Sequence, residues 1–211
     1  MKKSIFWKNI FAAAAIALAL SGCAYKINMA EVLQQPVDSS IRTRYHIWYT
    51  DPEDVSALNY MEGQFIPAGT IIEPVEVERG SYDMWGTVSV VDGSIVFRTP
   101  EDGKEYCIRY DEHLTLMPIE DFIKQMFTAA PADSIYKDVP PGELARVKAG
   151  QLEKGMHRNS VLVVLGPPAR SRTSKMTNQS WLYWKNQDVV FRLIFRGDKI
   201  RQIGSLDQLT F

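Results

Sequence analysis

The sequence predicts an α+β protein in which a small all-β body is followed by a two-helix, three-strand unit. Three observations predict it. Between residues 43 and 117, short aromatic and β-branched runs are separated by Gly, Pro and Asp-Gly turn signals. From Ile119 onward, apolar residues recur at helical spacing. After residue 180 the strand pattern returns, broken by Gly197-Asp198.

The first 22 residues belong to neither unit. Lys2, Lys3 and Lys8 form a basic head without acidic residues, and an apolar run of 11 residues follows from Ile10 to Leu20. A membrane-spanning helix needs about 20 apolar residues, so this run reads as a secretory signal. It closes on Leu20-Ser21-Gly22-Cys23, which resembles the lipobox of bacterial lipoproteins. Ser21 and Gly22 give a membrane peptidase small side chains beside the scissile bond, and Cys23 gives lipid transfer its thiol. The resemblance implies cleavage before Cys23 and covalent diacylglycerol and acyl chains, such as palmitate, on that residue. No other cofactor is expected. Two or more chains, at about 0.8 kcal/mol per buried methylene, make a lasting anchor that does not span the bilayer. In Gram-negative lipoproteins an aspartate after the lipidated cysteine favours inner-membrane retention. Ala24 therefore implies, for a Gram-negative source, an outer-membrane protein facing the periplasm.

Removing residues 1–22 leaves 189 of the 211 residues, enough for two small domains with a core each. The precursor has 24 basic and 25 acidic side chains and the signal removes three lysines, so the mature net charge is −4. Without a basic stripe, no nucleic-acid partner is expected. With Cys23 lipidated, Cys107 has no intramolecular partner, which excludes a disulfide framework. Set among Tyr106, Ile108 and Tyr110, Cys107 is expected as a buried, inert thiol.

Residues 23–42, with Gln34-Gln35-Pro36 and Ser39-Ser40, read as a lipid-anchored tether. Residues 43–130 read as an all-β domain with a trailing helix. Its expected strands are Arg44–Thr50, Thr70–Val77, Gly86–Val91, Ile95–Arg98, Glu105–Tyr110 and a short His113–Met117, with hairpin turns at Asp92-Gly93 and Asp102-Gly103. Their number and spacing suggest an SH3-like barrel. Ile119, Phe122, Ile123 and Met126 predict a helix over Ile119–Ala130, with Glu120 and Asp121 in the first turn where the helix dipole favours anions. Pro131, Pro140, Pro141 and Gly142 mark residues 131–142 as a linker.

In residues 143–211, Leu144 and Val147 predict a helix over Glu143–Ala149. Val161, Val164 and Leu165 give a second helix, from about His157 to Leu165, one apolar stripe. Gly166 with positive φ ends it, and Pro167 prevents continuation. Strands are expected at Trp181–Asn186, Val189–Arg196 and Ile200–Gly204.

The ordered set Gly155-Met156, Val161, Leu165-Gly166-Pro167, Trp181-Leu182-Tyr183 and Phe195-Arg196-Gly197-Asp198-Lys199-Ile200 resembles the SmpA/OmlA (BamE-like) family of outer-membrane lipoproteins, over roughly residues 140–206. The resemblance implies a two-helix, three-strand α+β fold and a binding or structural role. This chain differs from the smaller members by its β domain in front. Met156, Trp181 and Tyr183, with Trp48 and Trp85 of the β domain, are the candidate binding residues. Each also reads as a core or strand-face position.

Catalytic signatures are missing. His46, His113 and His157 are far apart in sequence, without a metal-spaced pair, and there is no Gly-x-Ser-x-Gly. Cys107 and His113 could approach across a turn, but Cys107 sits in a strand rather than at a helix start that would activate it. The expectation is a non-enzymatic envelope lipoprotein. It would be attached to the membrane by lipid and bind another envelope protein in outer-membrane structure or assembly. The alternative is a peptidoglycan-binding lipoprotein whose SH3-like domain stacks Trp48, Tyr49 and Trp85 on sugars.

Overall fold

The computed structural model describes residues 25–36, 39–82, 89–91, 93–173, 175–177 and 179–205. Cys23, Ala24, Trp85 and the Asp92 half of the first hairpin turn lie outside them. The fold is α+β and mostly sheet, with six α-helices among the described residues.

The N-terminal elements are β1 (Tyr25–Lys26), α1 (Met29–Val32), β2 (Ile41–Thr43), β3 (Ile47–Tyr49), β4 (Val55–Ser56), β5 (Gln64–Ile66), β6 (Ile71–Arg79), β7 (Ser81–Tyr82), β8 (Ser89–Val91), β9 (Gly93–Arg98) and β10 (Glu105–Tyr110). After them come α2 (Glu112–Thr115), α3 (Ile119–Met126) and β11 (Phe127–Thr128). The main sheet runs β11-β2-β6-β9-β10-β4, with β1 also paired to β6. Only the β10–β4 pairing in it is parallel. Two smaller pairs, β3–β5 and β7–β8, complete this part. Pro74, which cannot donate to a ladder, sits in the nine-residue β6 beside a bulge that turns Val75 outward.

Ile72 and Val77 of β6, Ile95 and Phe97 of β9, and Tyr106, Ile108 and Tyr110 of β10 form one core. The buried stripe of α3, Ile119, Phe122, Ile123 and Met126, closes over it, as the spacing predicts. The helix stops at Met126 rather than Ala130, because Phe127 and Thr128 turn extended and pair with Thr43 and Arg42.

Several expectations are corrected here. The segment read as a tether is bound to the body from Tyr25, which pairs with Arg79. Asn28 caps α1 by accepting from the Ala30 N–H, and Met29 is buried in the core. Two apolar residues, Ile27 and Met29, hold this segment although its surroundings are polar. The strand expected at His113–Met117 is instead α2, capped by the Asp111 carboxylate accepting from the His113 N–H at 2.7 Å. Cys107 is half-buried, not buried, because Tyr106, Ile108 and Tyr110 take the inner face of β10 and leave Cys107 with Glu105 and Arg109 on the other.

The C-terminal elements are α4 (Ala132–Tyr136), a 3₁₀ turn (Pro141–Glu143), α5 (Leu144–Lys148), α6 (Arg158–Leu165), β12 (Ser180–Trp184), β13 (Val190–Arg196) and β14 (Lys199–Ser205). The last three form an antiparallel meander. The segment read as a linker thus holds a helix and a 3₁₀ turn. His157 caps α6 by accepting from the Asn159 N–H through Nδ1. The Glu143 carboxylate accepts from the His157 N–H at 2.9 Å and from the Ser160 hydroxyl at 2.5 Å, fixing α5 against α6. Trp181, Tyr183, Leu193, Phe195 and Ile200 meet Val147, Val161, Val164 and Leu165 in a second core.

Candidate binding surfaces

The two units are not separated by a linker. Trp48 and Ala68, from the β body, lie in the second core. A buried polar joint runs alongside them. His46 Nε2 donates to the Val147 carbonyl at 2.6 Å and its Nδ1 accepts from the Ala68 N–H at 2.8 Å, which assigns the neutral Nε2–H tautomer. The Asn59 amide nitrogen donates to the carbonyls of His46 and Leu165, both at 2.9 Å, and its oxygen accepts from the Trp48 N–H at 2.8 Å. Trp48 Nε1 donates to the Val164 carbonyl at 2.8 Å. Gly150 carries φ +68°, and a Cβ there would lie 2.7 Å from the Phe65 ring and 3.0 Å from that of Trp48. The C-terminal backbone therefore rests directly on two aromatic rings.

This geometry corrects four candidate binding residues. Trp181 is 1 % exposed, Met156 2 %, Tyr183 4 % and Trp48 8 %. Their periodic spacing reported core positions, and Trp48 keeps too little exposed surface for a sugar to stack on its face. Arg158 adds to the cover of Trp181 by lying over its ring and that of Phe195, at 5.1 and 4.4 Å from the centroids. Trp85, Cys23 and Ala24 lie outside the described residues.

Three other surfaces are open. A cleft of about 530 Å³ is walled by Tyr49, Tyr60, Asp54, Glu62 and Arg109 and reaches Asp188 of the β12–β13 turn. Arg109 Nε lies 3.4 Å from the Asp54 carboxylate, so the cleft's one guanidinium is already engaged. A second cleft of about 530 Å³ lies between the units, with Ile135, Val139, Leu162 and Pro167 opposite Tyr45. The third surface is the outer face of the meander, where Leu182, Trp184, Val190, Arg192 and Ile194 remain half-buried while alternate residues face the helices. Sequence reasoning named Tyr49, on the first cleft, as a sugar-stacking residue, and gave no sign of the second cleft. The alternation of β12 and β13 was a usable signal for the last.

The electrostatics favour structure over chemistry. Burial holds the His46 imidazole below its ordinary value of 6.5, against the Val147 hydrogen bond that raises it. Burial likewise pushes the Cys107 thiol up. Arg109 opposes that shift, and Asp54 and Glu53 add to it. A thiol raised in this way is protonated at neutral pH and lacks the activation a nucleophile needs. Burial also pushes Tyr110 up to about 12, and its hydroxyl donates to the Met117 carbonyl at 2.5 Å. Among the described residues no cluster of three or more His, Cys, Asp or Glu could hold a metal ion, and no helix is long and apolar enough to cross a membrane. No family model, curated protein or solved structure matches the chain.

Proposed function

We propose that the protein is a non-enzymatic outer-membrane lipoprotein, anchored through lipid on Cys23, that acts in envelope structure or outer-membrane protein assembly by binding another envelope protein. In this reading the C-terminal unit is of the SmpA/OmlA (BamE-like) kind and the β body is SH3-like. One observation carries the reading: the order helix, helix and three-strand meander, with a positive-φ glycine ending the second helix and a buried tryptophan on the first strand. The absorption of His46, His157 and Ser160 into structural hydrogen bonds supports a role without catalysis.

The partner surface under this proposal is the outer face of the meander, since its inner face is spent on the helices. Leu182, Trp184 and Ile194 offer half-covered apolar area there, and aromatic anchors of this sort dominate protein interfaces. The test is a photoreactive residue at Trp184 in intact envelopes, followed by identification of the adduct. A discrete adduct with one envelope protein, absent when the probe replaces buried Val161, is the expected result. Adducts spread without preference would overturn the binding reading.

The peptidoglycan alternative loses Trp48 to the core and keeps Tyr49 and Tyr60 on the first cleft. Its separate test is sedimentation of the protein with isolated peptidoglycan. Retention that falls in a Tyr49→Ala, Tyr60→Ala double variant would favour it.

A further inference from the structure

We propose that the end of the β body where β1 begins lies directly on the bilayer, with Leu114 and Leu116 as its apolar contacts in the headgroup layer. The proposal rests on the lipid-anchor reading of Cys23.

Chain length is the first argument. Cys23 precedes Tyr25 by two residues, and a fully extended chain gains at most about 3.3–3.6 Å per residue. Tyr25 is already fixed, paired antiparallel with Arg79, and the Ile27 N–H donates to the Val77 carbonyl at 2.9 Å. A lipidated cysteine would therefore hold the last turn of this sheet within roughly 7 Å of the acylated residue. A flexible tether over the whole of residues 23–42 would have let the body drift several times farther. This short link leaves it no room.

The second argument is what that end of the body presents. Gly93 of β9 pairs with Tyr110 and packs against Glu78 and Gly80, so β10 finishes on the same side of the sheet as the end of β6 where β1 is seated, with β9 between them. Arg79 bonds to the Glu120 carboxylate, bringing the start of α3 to the same place. Between β10 and α3 the chain makes α2 and one further turn, which hold two of the most exposed large apolar side chains among the described residues. Leu114 is 48 % exposed and Leu116 53 %.

Leu116 is held at φ +53°, a backbone conformation leucine seldom adopts, while Met117 and Thr115 on either side are buried. The left-handed C-cap of α2 thus carries Leu116 outward between two buried neighbours. Amphipathic membrane-surface elements seat their apolar side chains about 5–10 Å into the headgroup and acyl boundary. β1 begins and β10 ends on this same side of the sheet, with β6 and β9 between them, so the two leucines would meet the same headgroup layer as the anchor. Arg79 and Glu120 neutralise each other and the groups flanking the leucines, Asp111 and Glu112, are acidic, so the contact rests on apolar seating rather than on attraction to anionic lipid.

The β9–β10 hairpin supplies an internal control, because its Thr99–Lys104 turn lies at the end away from Gly93 and Tyr110. The experiment uses full-length lipidated protein in a Cys107→Ala background, with single cysteines from Leu116→Cys or Glu101→Cys carrying an environment-sensitive fluorophore. The protein is reconstituted into phosphatidylcholine vesicles containing nitroxide-labelled lipid. At position 116 the emission should rise at least twofold over detergent solution and be quenched by the nitroxide; at position 101 neither should happen. If the protein floats with the vesicles but the fluorophore at 116 is as open to aqueous iodide as the one at 101, the docking proposal is overturned and the anchor reading stands. If the protein neither incorporates palmitate nor floats, the anchor reading falls and takes the docking proposal with it. A Leu114→Asn, Leu116→Asn variant should melt like the wild type, since both side chains lie outside the core, and should lose protection from protease at this turn only in vesicles.

Discussion

His46 Nε2 lies 2.6 Å from the Val147 carbonyl oxygen, a hydrogen bond between residues 101 positions apart that ties the β body to α5. On its other side the ring accepts the Ala68 N–H, and it stacks on Phe65 with centroids 4.5 Å apart. Only one protonation state fits both partners. A proton on Nδ1 would point at the Ala68 N–H, so the imidazole must be neutral to hold the units together.

That requirement sets a pH dependence. Burial lowers the His46 pKa in the folded protein from 6.5. The unfolded chain therefore takes up a proton as pH falls below about 6.5, while the folded protein resists until its own lower value is reached. The contribution of His46 is full above pH 6.5 and shrinks between those two values, by at most about 1.4 kcal/mol per pH unit. Thermal melts at pH 7.5 and 5.0 should show this loss in the wild type. A His46→Gln variant, less stable at both, should lose a smaller increment between them.

Asn59 is a sharper test of the joint, because one side chain satisfies three buried backbone groups, on His46, Trp48 and Leu165. Asn59→Ala leaves all three without this partner, each at about 1–3 kcal/mol, so a loss of 3 kcal/mol or more is expected. Asn59→Asp keeps the shape but turns a carboxylate toward two carbonyl oxygens and should be worse at pH 7 than at pH 4. Chemical denaturation at the two pH values measures both effects. An Asn59→Asp protein as stable as the wild type at pH 7 would show that the joint carries little of the stability.

What was legible in the sequence follows the range of the interaction. The stripe of Val161, Val164 and Leu165, its stop at Gly166 and the alternation of Trp181 and Tyr183 are local patterns, and they mark α6 and the meander correctly. β4 and β5 are only two and three residues long, and Val55 hides behind the acidic turn Asp51-Pro52-Glu53-Asp54. The joint leaves no local pattern, since the hydrogen bonds that cross it connect side chains to backbone groups 101, 106 and 116 residues away. Trp48 shows the same limit for the candidate sites. Its aromatic character suggested a binding platform, but β3 is covered on both faces, with Ile47 and Trp48 both buried.

The lipid anchor makes two predictions that do not depend on the fold. Lipid transfer needs a thiol, so Cys23→Ser should accumulate as uncleaved precursor without palmitate. In a Gram-negative host, Ala24→Asp should move the protein to the inner-membrane fraction. Metabolic labelling and membrane fractionation read the two outcomes. Normal labelling of Cys23→Ser would remove the anchor, and unchanged fractionation of Ala24→Asp would place the sorting signal elsewhere.

Gly166 ends α6 with φ +73° and ψ −176°, a region essentially reserved for glycine. Its carbonyl accepts from the Tyr183 hydroxyl at 2.9 Å, so it cannot easily move. A Cβ at this position would also lie 2.7 Å from the Tyr45 ring. Tyr45 is itself buried in the first core and lines the cleft between the units. The backbone strain costs about 1–3 kcal/mol and the overpacking a similar amount. Gly166→Ala should therefore lose roughly 2–5 kcal/mol, a large part of the 5–15 kcal/mol typical of a folded protein, and Gly166→Val more. Relieving the clash alone separates the two causes. In a Tyr45→Leu background, Gly166→Ala should cost only its backbone share, so the double-mutant cycle should show coupling of at least 1 kcal/mol. Strict additivity would mean that the Tyr45 contact plays no part and that the constraint on Gly166 is conformational alone.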